Sequence, residues 1–374
     1  MKIIICLNTA WNLVNFRASL IRALVAAGHE VIAVAPDDKY AGSLSVLGCR
    51  FVPLHMENCG TNPVQDALLT WRFVRLFARE RPDVYLGYTV KPNVYGSLAA
   101  HMMRIPVINN IAGLGAVFIK DGWLVRLVRW LYRRALKRSV KVFFQNPDDR
   151  TLFIDGGMVR AEVSELLPGS GIDLNFFTAQ PKLVSERPNF RFLLIARMLR
   201  DKGVGEYVEA AKLLRQRWPL AEFCLLGFLD VQNPAAISRA EMDAWVAEGV
   251  VNYLGVSDDV RVQIAVADCV VLPSYREGTP RTLLEAAAMA RPIISTDTVG
   301  CREVVDDGVN GYLCKVRDAG ALAVKMERML SLSPEQRSEM GKRGRAKMEV
   351  EFDEQIVIGK YLSVIEKIRV QRSI

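Results

Sequence analysis

Short apolar, β-branched runs alternate along the chain with longer segments in which apolar residues recur every three to four positions. This alternation predicts repeated strand and helix units that form parallel sheets. The strands predicted in the first half are KIIICLN, HEVIAVAP, DVYLGYT, PVINNIA and KVFFQN. The strands predicted in the second half are NFRFLLIAR, EFCLLG, VVNYLG, DCVVLPS and PIIST. The pattern therefore predicts two doubly wound α/β sheets in series.

The helices predicted between these strands include NFRASLIRALVAAG, which ends at Gly28, and a helix that begins near Gly203. A turn-rich segment, LPGSGIDLNFF, places the linker near residues 165–185, and an amphipathic helix is predicted from Asp353 to Arg369. The 374 residues suit two domains of about 150–200 residues each. Open α/β sheets bind ligands at the carboxyl ends of their strands, so two sheets indicate a cleft between them.

The composition, with 51% hydrophobic and 24% charged residues, is that of a globular protein. No apolar run reaches the roughly 18 residues of a membrane span. The apolar start MKIIICLN is interpreted as a buried first strand and not as a signal peptide. Seven scattered cysteines and three histidines indicate reduced thiols in a cytoplasm and argue against a metal centre. We therefore expect neither a metal nor a cofactor.

The net charge of +8 and the pI of about 9.1 predict an anionic partner: nucleic acid, a membrane surface or a phosphorylated ligand. The segment KDGWLVRLVRWLYRRALKRSVK interleaves basic and apolar residues at helical spacing. It is either a core-packed helix with a solvated basic face or a helix that docks on an anionic membrane. No nucleic-acid-binding motif accompanies it, so we expect no nucleic acid. The candidate membrane residues are Arg126, Arg129, Trp130, Arg133 and Arg134.

Basic residues stand repeatedly where a predicted strand ends and a helix begins. A helix start favours anions, so a cation there is mildly unfavourable unless it helps to bind one. Arg197 and Lys202 flank one such start and suit a diphosphate. The other basic residues in this position are Arg276, Arg281 and Lys91.

Two glutamates, Glu277 and Glu285, lie eight residues apart in SYREGTPRTLLEAAA. The segment DCVVLPS is the preceding strand, Thr279 is a predicted cap, and Pro280 opens the helix. Glu277 is therefore expected in the loop and Glu285 about a turn and a half inside the helix. A ligand with hydroxyl groups at both ends and phosphates between them, such as a nucleotide sugar, fits this spacing.

At these residues the chain resembles the family 4 glycosyltransferases, which are retaining enzymes of the GT-B fold. The most specific match is EGTPRTLLE with the following AAAMARPIISTDTVGCREVVDDGVNGYL, and a second match is ARMLRDKG. Weaker matches are LPGSGID and AAGHEVIAVAP. The resemblance covers almost the whole chain and implies two Rossmann-like domains that face across a cleft.

The resemblance implies a role for each matching residue of the donor site. Glu285 is expected to bind the nucleotide ribose and Glu277 a hydroxyl of the transferred sugar, while Arg197 and Lys202 bind the diphosphate. The amides of Gly278 and Thr279 would contact the sugar and phosphates. Glu303 in GCREVV is expected either to contact the donor or to be a helix-start carboxylate. The expected catalytic residues are Glu277, Arg197 and Lys202.

The segments VNFR, KPNVYGSLAA and NIAGLG most resemble the subgroup that adds an N-acetylhexosamine or related sugar to an undecaprenyl-diphosphate-linked saccharide. This implies a nucleotide-sugar donor that is linked to UDP, a lipid-linked acceptor and a place on the cytoplasmic face of the plasma membrane. Residues 1–168 would bind acceptor, 169–352 would bind donor, and 353–374 would cross back to the first domain. The implied acceptor residues are Lys91, Asn15, Arg17, Asn110 and Gly113.

The chain departs from the family pattern at two positions. The first loop, NTAWNLVNFR, lacks a glycine pair, and Ala112 stands where many members have a histidine, so no catalytic histidine is assigned. With no Asp-x-Asp cluster, Arg197, Lys202 and a helix start are expected to stabilise the leaving diphosphate in place of a metal. Glu277 as a covalent nucleophile is the alternative mechanism. A nucleotide-sugar 2-epimerase and a noncatalytic membrane-associated binding protein are the alternative functions.

Overall fold

The computed structural model describes residues 1–57, 62–113, 122–179, 189–231 and 233–373. Cys59, Lys120 of the basic segment and part of the predicted linker lie outside these ranges. The chain divides into two units, one of Met1–Ser170 with Glu354–Ile374 and the other of Gly171–Asp353.

The helices and strands of the first unit follow the predicted alternation. They are β1 (Lys2–Cys6), α1 (Ala10–Ala26), β2 (Glu30–Ala35), β3 (Arg50–Pro53), α2 (Pro63–Glu80), β4 (Val84–Tyr88), α3 (Ser97–Met102), β5 (Val107–Ile111), α4 (Trp123–Leu136), β6 (Lys141–Phe144), α5 (Pro147–Asp155) and β7 (Ser164–Leu166). A π-helical segment, Pro92–Gly96, leads into α3, and 3-10 turns span Ala41–Leu47 and Ala161–Val163.

The second unit repeats the alternation, and the chain then ends in a long helix. The elements are β8 (Arg191–Ile195), α6 (Val204–Arg215), β9 (Glu222–Leu226), α7 (Arg239–Ala247), β10 (Asn252–Tyr253), α8 (Arg261–Val266), β11 (Cys269–Leu272), α9 (Arg281–Ala288), β12 (Ile293–Thr296), β13 (Gly311–Cys314), α10 (Ala319–Ser331), α11 (Pro334–Lys347) and α12 (Glu354–Ser373). A 3-10 turn, Arg200–Lys202, precedes α6, and a π-helical segment, Met348–Phe352, precedes α12.

Both sheets are parallel and have the Rossmann strand order. The order is β3-β2-β1-β4-β5-β6-β7 in the first unit and β10-β9-β8-β11-β12-β13 in the second. In each sheet the chain first winds outward on one side of the starting strand and then crosses to the other. The switch points are therefore β1/β4 and β8/β11, where such sheets bind ligands at their carboxyl ends. The predicted pair of doubly wound sheets is confirmed.

The first sheet is buried on both faces. Ile3 and Ile5 of β1 pack with α1, while Ile4 and Cys6 face the side of α2 and α3. This explains why β1 is an unbroken apolar run.

The terminal helix α12 covers the same face of the sheet as α1. Its Val357, Tyr361 and Ile365 are buried in the cluster that contains Ile3 and Ile5. Ion pairs from Lys360 to Glu165 at 3.0 Å and from Arg372 to Asp83 at 2.9 Å also attach α12 to the first unit. Burying apolar side chains contributes roughly 25 cal/mol per Å² removed from water, so this packing favours the attached position.

Three element boundaries differ from the predictions. Helix α1 begins at Ala10 and not at Asn15, because Thr9 accepts a hydrogen bond from the amide of Asn12. The strand predicted as VVNYLG shortens to β10, which is followed by Gly255 with a positive φ of 74°. After Lys91 the chain forms the π-helical segment before it becomes α-helical.

The six described cysteines have free thiols and are buried. Burial raises the pKa of Cys224 to about 11 and that of Cys301 to about 12, so both thiols stay protonated near neutral pH. Within the described ranges, none of the helices has the length and hydropathy that a bilayer crossing requires.

Candidate functional site

Two loops meet at the carboxyl edge of the second sheet, beside its switch point. One follows β8 and leads through the Arg200–Lys202 turn into α6, and the other follows β11 and leads into α9. Gly203 joins them closely: it has φ 73°, and a Cβ there would lie 2.1 Å from the carbonyl oxygen of Pro273. Only glycine tolerates both this backbone and this approach. The amide of Tyr275 donates to the carbonyl of Asp201 at 2.9 Å.

Lys202 and Glu277 form an ion pair where these loops meet. The Nζ of Lys202 lies 2.5 Å from Oε1 of Glu277, and the hydroxyl of Ser274 donates to the same oxygen at 2.6 Å. The side chains of Lys202 and Glu277 are 20% and 13% exposed, so a ligand still reaches them. Ser274 is fully buried and fixes the rotamer of the carboxylate.

Hydroxyl groups from the end of β12 and from the turn after it hold the loop of Glu277. Thr296 donates to the carbonyl of Ser274, and Thr298 donates to the carbonyl of Tyr275 at 2.9 Å. The amide of Glu277 donates to the carbonyl of Val299 at 3.0 Å. The loop is therefore bonded through both its backbone and its side chains, which preorganises the carboxylate.

Glu285 lies inside α9 and is paired along the same helix. The Nε of Arg281 lies 2.9 Å from Oε1 of Glu285, and the Glu285 side chain is 12% exposed. Burial raises the pKa of Glu285, and the positive charge and hydrogen bond of Arg281 oppose this rise. Thr282 ties the helix to the sheet by donating to the carbonyl of Ile195 at 3.1 Å.

The start of α9 differs in detail from the prediction. Pro280 occupies the N-cap position with no capping side chain, so the predicted cap by Thr279 is wrong. Pro280 has extended φ and ψ of −73° and 107°, and Arg281 is the first helical residue. Glu277 nevertheless lies in the loop and Glu285 in the helix, as the spacing predicted. Gly278 and Thr279 lie in the loop between them.

The remaining donor candidates lie at the same edge of the sheet. Arg197 follows β8 and is exposed, and no carboxylate in the described part of the chain pairs with its guanidinium. Glu303 is half-buried in a turn that follows Gly300, and this turn is not the start of a helix. Gly300 has φ 86°, and a Cβ there would lie 2.6 Å from the carbonyl oxygen of Glu277. The turn therefore packs directly against the glutamate loop.

In the first unit, a carboxylate occupies the start of α1. Oδ2 of Asp38 accepts hydrogen bonds from the amides of Ala10 at 2.9 Å and Trp11 at 3.2 Å. These amides would otherwise form an anion site. Asn15 is exposed one turn later, and its side-chain amide donates to the carbonyl of Trp11.

Arg17 and Asn110 lie deep in the first unit and contact aromatic residues of β4 and α12. The guanidinium of Arg17 lies 4.4 Å from the centroid of the Tyr88 ring and is 5% exposed. Asn110 is 1% exposed and donates to the hydroxyl of Tyr361 at 3.1 Å. These contacts give both residues a packing role, whatever else they do. Gly113, with φ 126°, lies just beyond β5.

Lys91 belongs to a small polar cluster after β4. Its Nζ lies 3.0 Å from Oδ1 of Asp66, and the hydroxyl of Tyr95 donates to Oδ2 of the same carboxylate at 2.6 Å. The Lys91 and Asp66 side chains are 13% and 12% exposed. Thr89 nearby has φ 57°, which is strained for a β-branched residue. The cluster therefore fixes a cation at the switch point of the first sheet.

The outer face of α4 is apolar and basic. Trp123 is 71% exposed and Trp130 is 50% exposed, and the guanidinium of Arg134 lies 5.4 Å from the Trp130 ring. Tyr132 on the opposite face is buried. Arg126 is exposed, whereas Arg129 is half-buried. Arg133 donates to the carbonyls of Gly156 and Gly157 at 2.8 and 3.1 Å. The helix therefore packs on its unit and also presents tryptophan and arginine outward.

Sequence reasoning missed several residues that hold the site together. Ser274, Thr296 and Thr298 carry no periodic signal, because their function depends on contacts across the sheet. In the described ranges, His, Cys, Asp and Glu side chains form no group of three that could hold a metal ion.

The comparisons with known proteins agree with this architecture. The family described as Glycosyl transferases group 1 matches residues 189–332, and the Glycosyl transferase 4-like domain matches residues 14–169.

Two curated relatives match most of the chain. The Bacillus anthracis N-acetyl-alpha-D-glucosaminyl L-malate synthase is 32% identical over 320 residues, which cover 81% of this chain and 79% of the relative. The Campylobacter jejuni N,N'-diacetylbacillosaminyl-diphospho-undecaprenol alpha-1,3-N-acetylgalactosaminyltransferase is 28% identical over 369 residues, or 95% of each chain.

Solved structures share the fold at low sequence identity. HepE of Anabaena, in complex with UDP and glucose, has a TM-score of 0.79 at 20% identity and covers 98% of this chain and 99% of its own. The sucrose-phosphate synthase of Thermosynechococcus elongatus has a TM-score of 0.81 at 19% identity, with 99% and 100% covered.

Two parallel Rossmann-like sheets in series give the chain the GT-B fold, and the two family models make it a glycosyltransferase. Within that class, the chain belongs to the family 4 glycosyltransferases.

Proposed function

We propose that this glycosyltransferase moves an N-acetylhexosamine from a UDP-sugar to a saccharide linked to undecaprenyl diphosphate, with retention and without a metal. The product would serve the biosynthesis of a cell-surface glycan. Two ion pairs at the switch point of the second sheet carry the proposal: Lys202 with Glu277, and Arg281 with Glu285.

The donor is proposed to lie along these two ion pairs. Glu285 would accept hydrogen bonds from the ribose hydroxyls, and the loop amides at Gly278 and Thr279 would meet the sugar and phosphates. Lys202 and the free guanidinium of Arg197 would hold the diphosphate, one as a point charge and the other as a planar fork. UDP is favoured because HepE, a structural neighbour, was crystallised with UDP and glucose.

The proposed reaction needs no side-chain base. The bond between C1 of the sugar and the β-phosphate oxygen breaks, and its electron pair stays on that oxygen. The acceptor hydroxyl oxygen forms the new bond to C1 on the same face, and its proton passes to the phosphate oxygen. Lys202 and Arg197 stabilise the charge that develops on the leaving diphosphate. Loss of one such contact costs about 2.7–4 kcal/mol in the transition state.

Glu277 is proposed to bind a hydroxyl of the transferred sugar and not to act as a nucleophile. Its Oε1 already accepts from Ser274 and pairs with Lys202. A carboxylate that is neutralised and hydrogen-bonded in this way is a poor nucleophile but a well-oriented acceptor for a sugar hydroxyl.

The acceptor is proposed to bind the first unit through the cation of Lys91. The Campylobacter relative is named for action on a diphospho-undecaprenol substrate, and it matches this chain over 95% of both lengths. An acceptor of that kind carries a diphosphate, which Lys91 would meet beside the switch point of the first sheet. Asn15, exposed one turn into α1, and Gly113, just beyond β5, are the other proposed acceptor contacts.

The outer face of α4 is proposed to dock on an anionic membrane, which would place the enzyme on the cytoplasmic face of the plasma membrane. From Gly122 to Arg138 the sequence contains no acidic residue, and the exposed tryptophans suit the lipid interface. Each basic side chain near such a surface contributes about 1 kcal/mol. Trp130, Arg126 and Arg134 are the principal contacts in this proposal.

Incubation of the purified protein with UDP-N-acetylhexosamines and undecaprenyl-diphosphate saccharides tests the proposal. A product heavier by one sugar, with the anomeric configuration of the donor, is expected. Interconversion of the nucleotide sugar without an acceptor would instead support an epimerase, and neither reaction with any nucleotide sugar would support a binding protein.

A further inference from the structure

Arg281 stands at a position that helix energetics disfavour. It is the first residue of α9, where the positive end of the helix dipole opposes a cation. An arginine four residues before a glutamate is also the less favourable order for an ion pair within a helix. The contact with Glu285 at 2.9 Å is therefore poorly explained as a device that stabilises α9.

The contact is instead explained by the burial of the Glu285 carboxylate. Glu285 is itself only 12% exposed, and its neighbours along α9, Leu284, Ala286 and Ala288, are buried. An ionised carboxylate in such surroundings requires a compensating charge and a fixed hydrogen bond. Arg281 supplies both from one turn earlier.

We propose that Arg281 is a positioning residue for the donor site: it keeps Glu285 ionised and directs its carboxylate toward the nucleotide. The inference rests on the proposed function, because it assigns Glu285 to the ribose. It adds a residue whose role is exerted through Glu285 and not by contact with the substrate.

The charges around Glu285 give this role a defined pH dependence. Burial raises the pKa of Glu285, Arg281 lowers it, and the carboxylate of Asp259 before α8 raises it. Asp259 is itself paired with Arg261 at 2.6 Å. From α11, Arg345 donates to the carbonyl of Ala288 at the far end of α9. Among the described residues, Arg281 is thus the cation that contacts the Glu285 carboxylate directly.

The sign of the effect follows from these contacts. Without Arg281 the pKa of Glu285 rises further, so the carboxylate becomes protonated at a higher pH. If ribose binding requires the ionised form, an Arg281 variant loses UDP affinity at a higher pH than the unmodified protein does when the pH is lowered. Raising the pH restores the carboxylate and part of the binding.

UDP binding measured by calorimetry between pH 5.5 and 8.5 tests the proposal in Arg281→Met, Arg281→Lys and Glu285→Ala. Arg281→Met should weaken binding by about tenfold at pH 6 and by progressively less toward pH 8.5, since one pKa unit changes the ionised fraction up to tenfold. Arg281→Lys should keep most of the affinity. Titration of UDP itself is common to all the proteins and cancels in the comparison.

Arg343→Met is the matched control, because Arg343 pairs with Glu339 in an exposed helical pair, at 3.2 Å, away from the second sheet's carboxyl edge. It should leave the UDP affinity unchanged at every pH. Thermal unfolding of each variant confirms folding, and Arg281→Lys keeps the test usable if Arg281→Met does not fold.

If Arg281→Met and Arg281→Lys both lose UDP affinity, and by the same factor at every pH, the positioning role is wrong. The assignment of the donor site would still stand. Full UDP affinity in Glu285→Ala, or no UDP binding by the unmodified protein, would overturn the donor site and the positioning role together.

Discussion

The ammonium of Lys202 lies 2.5 Å from the carboxylate of Glu277, although 75 residues separate them in the chain. A diphosphate that binds Lys202 must therefore compete with Glu277 for the same cation. The pattern recurs, because cations beside three helix starts contact carboxylates of the protein. The three pairs are Lys202 with Glu277, Arg281 with Glu285, and Lys91 with Asp66.

This competition predicts opposite effects of one substitution on binding and on turnover. In Glu277→Gln the amide oxygen still accepts from Ser274, but Lys202 loses its anionic partner and becomes free for phosphate. UDP should bind more tightly, by about tenfold at most. Sugar transfer should slow by about tenfold or more, and a tenfold decrease corresponds to roughly 1.4 kcal/mol in the activation free energy. Calorimetry with UDP and initial rates measure the two effects.

Glu339→Gln is the control for this prediction, because it removes the carboxylate of the exposed Glu339–Arg343 pair on α11. It should alter neither quantity. Weaker UDP binding in Glu277→Gln would contradict competition for Lys202.

Substitution of Gly300 tests whether its close packing against the glutamate loop matters for UDP binding. Gly300→Ala forces a Cβ to 2.5 Å from the carbonyl oxygen of Gly278 at a φ of 86°. We expect a loss of about 1–3 kcal/mol in the free energy of unfolding, with UDP binding weakened because the glutamate loop must move. Urea denaturation and UDP calorimetry measure both.

Gly205→Ala is the matched comparison in α6, since no heavy atom lies within 4 Å of its added Cβ. It should stabilise the protein by up to about 1 kcal/mol and leave UDP binding intact. Equal effects of the two substitutions would show that the close approach at Gly300 does not matter.

The sequence pattern predicted the sheets and the positions of Glu277 and Glu285 relative to α9 because these depend on local signals. Apolar runs define strands, and the Gly-Thr-Pro break between Glu277 and Glu285 places one residue before a helix and the other within it. The roles of Arg17 and Asn110 could not be obtained in this way. Asn110 contacts Tyr361 across 251 residues of chain, and Arg17 stacks on Tyr88, so their surroundings depend on where α12 packs.

A buried polar network also explains part of a motif that looked functional. In KPNVYGSLAA, Asn93 and Ser97 are buried and bond the side chain of Asn109 at 2.9 and 2.8 Å. Ser139 completes this network by donating to Asn109 at 2.6 Å. These residues attach the segment after β4 to β5. Lys91, at the start of the motif, is left as its candidate for substrate contact.

Lys91 provides a test of the acceptor site. Lys91→Met should raise KM for the undecaprenyl-diphosphate saccharide by about tenfold, with KM for the UDP-sugar unchanged, because a charge-assisted phosphate contact is lost. Asp66→Asn should lower the KM for this acceptor, because Lys91 loses its anionic partner. Steady-state kinetics with each substrate varied in turn measure both, with Lys367→Met, at an exposed position of α12, as control. A change in the donor KM alone would contradict this assignment.

Charge reversal on α4 tests membrane docking. Arg126→Glu with Arg134→Glu should reduce sedimentation with phosphatidylglycerol vesicles by at least tenfold, since each basic residue contributes about 1 kcal/mol and reversal adds repulsion. Arg133 is left intact because it holds the carbonyls of Gly156 and Gly157.

The same number of reversals on α11, Lys342→Glu with Arg343→Glu, should have a smaller effect if docking is local to α4. Equal losses from the two helices would indicate a general charge effect, and unaltered binding of the α4 variant would exclude docking through this face.

Release of UDP from a UDP-N-acetylhexosamine, with and without an undecaprenyl-diphosphate saccharide, tests the central claim most directly. We predict rapid release only with the acceptor, and a rate lower by about 10²–10³ in Lys202→Ala and at least tenfold lower in Glu285→Ala. Release that does not depend on the acceptor, or full activity in both variants, would contradict the account.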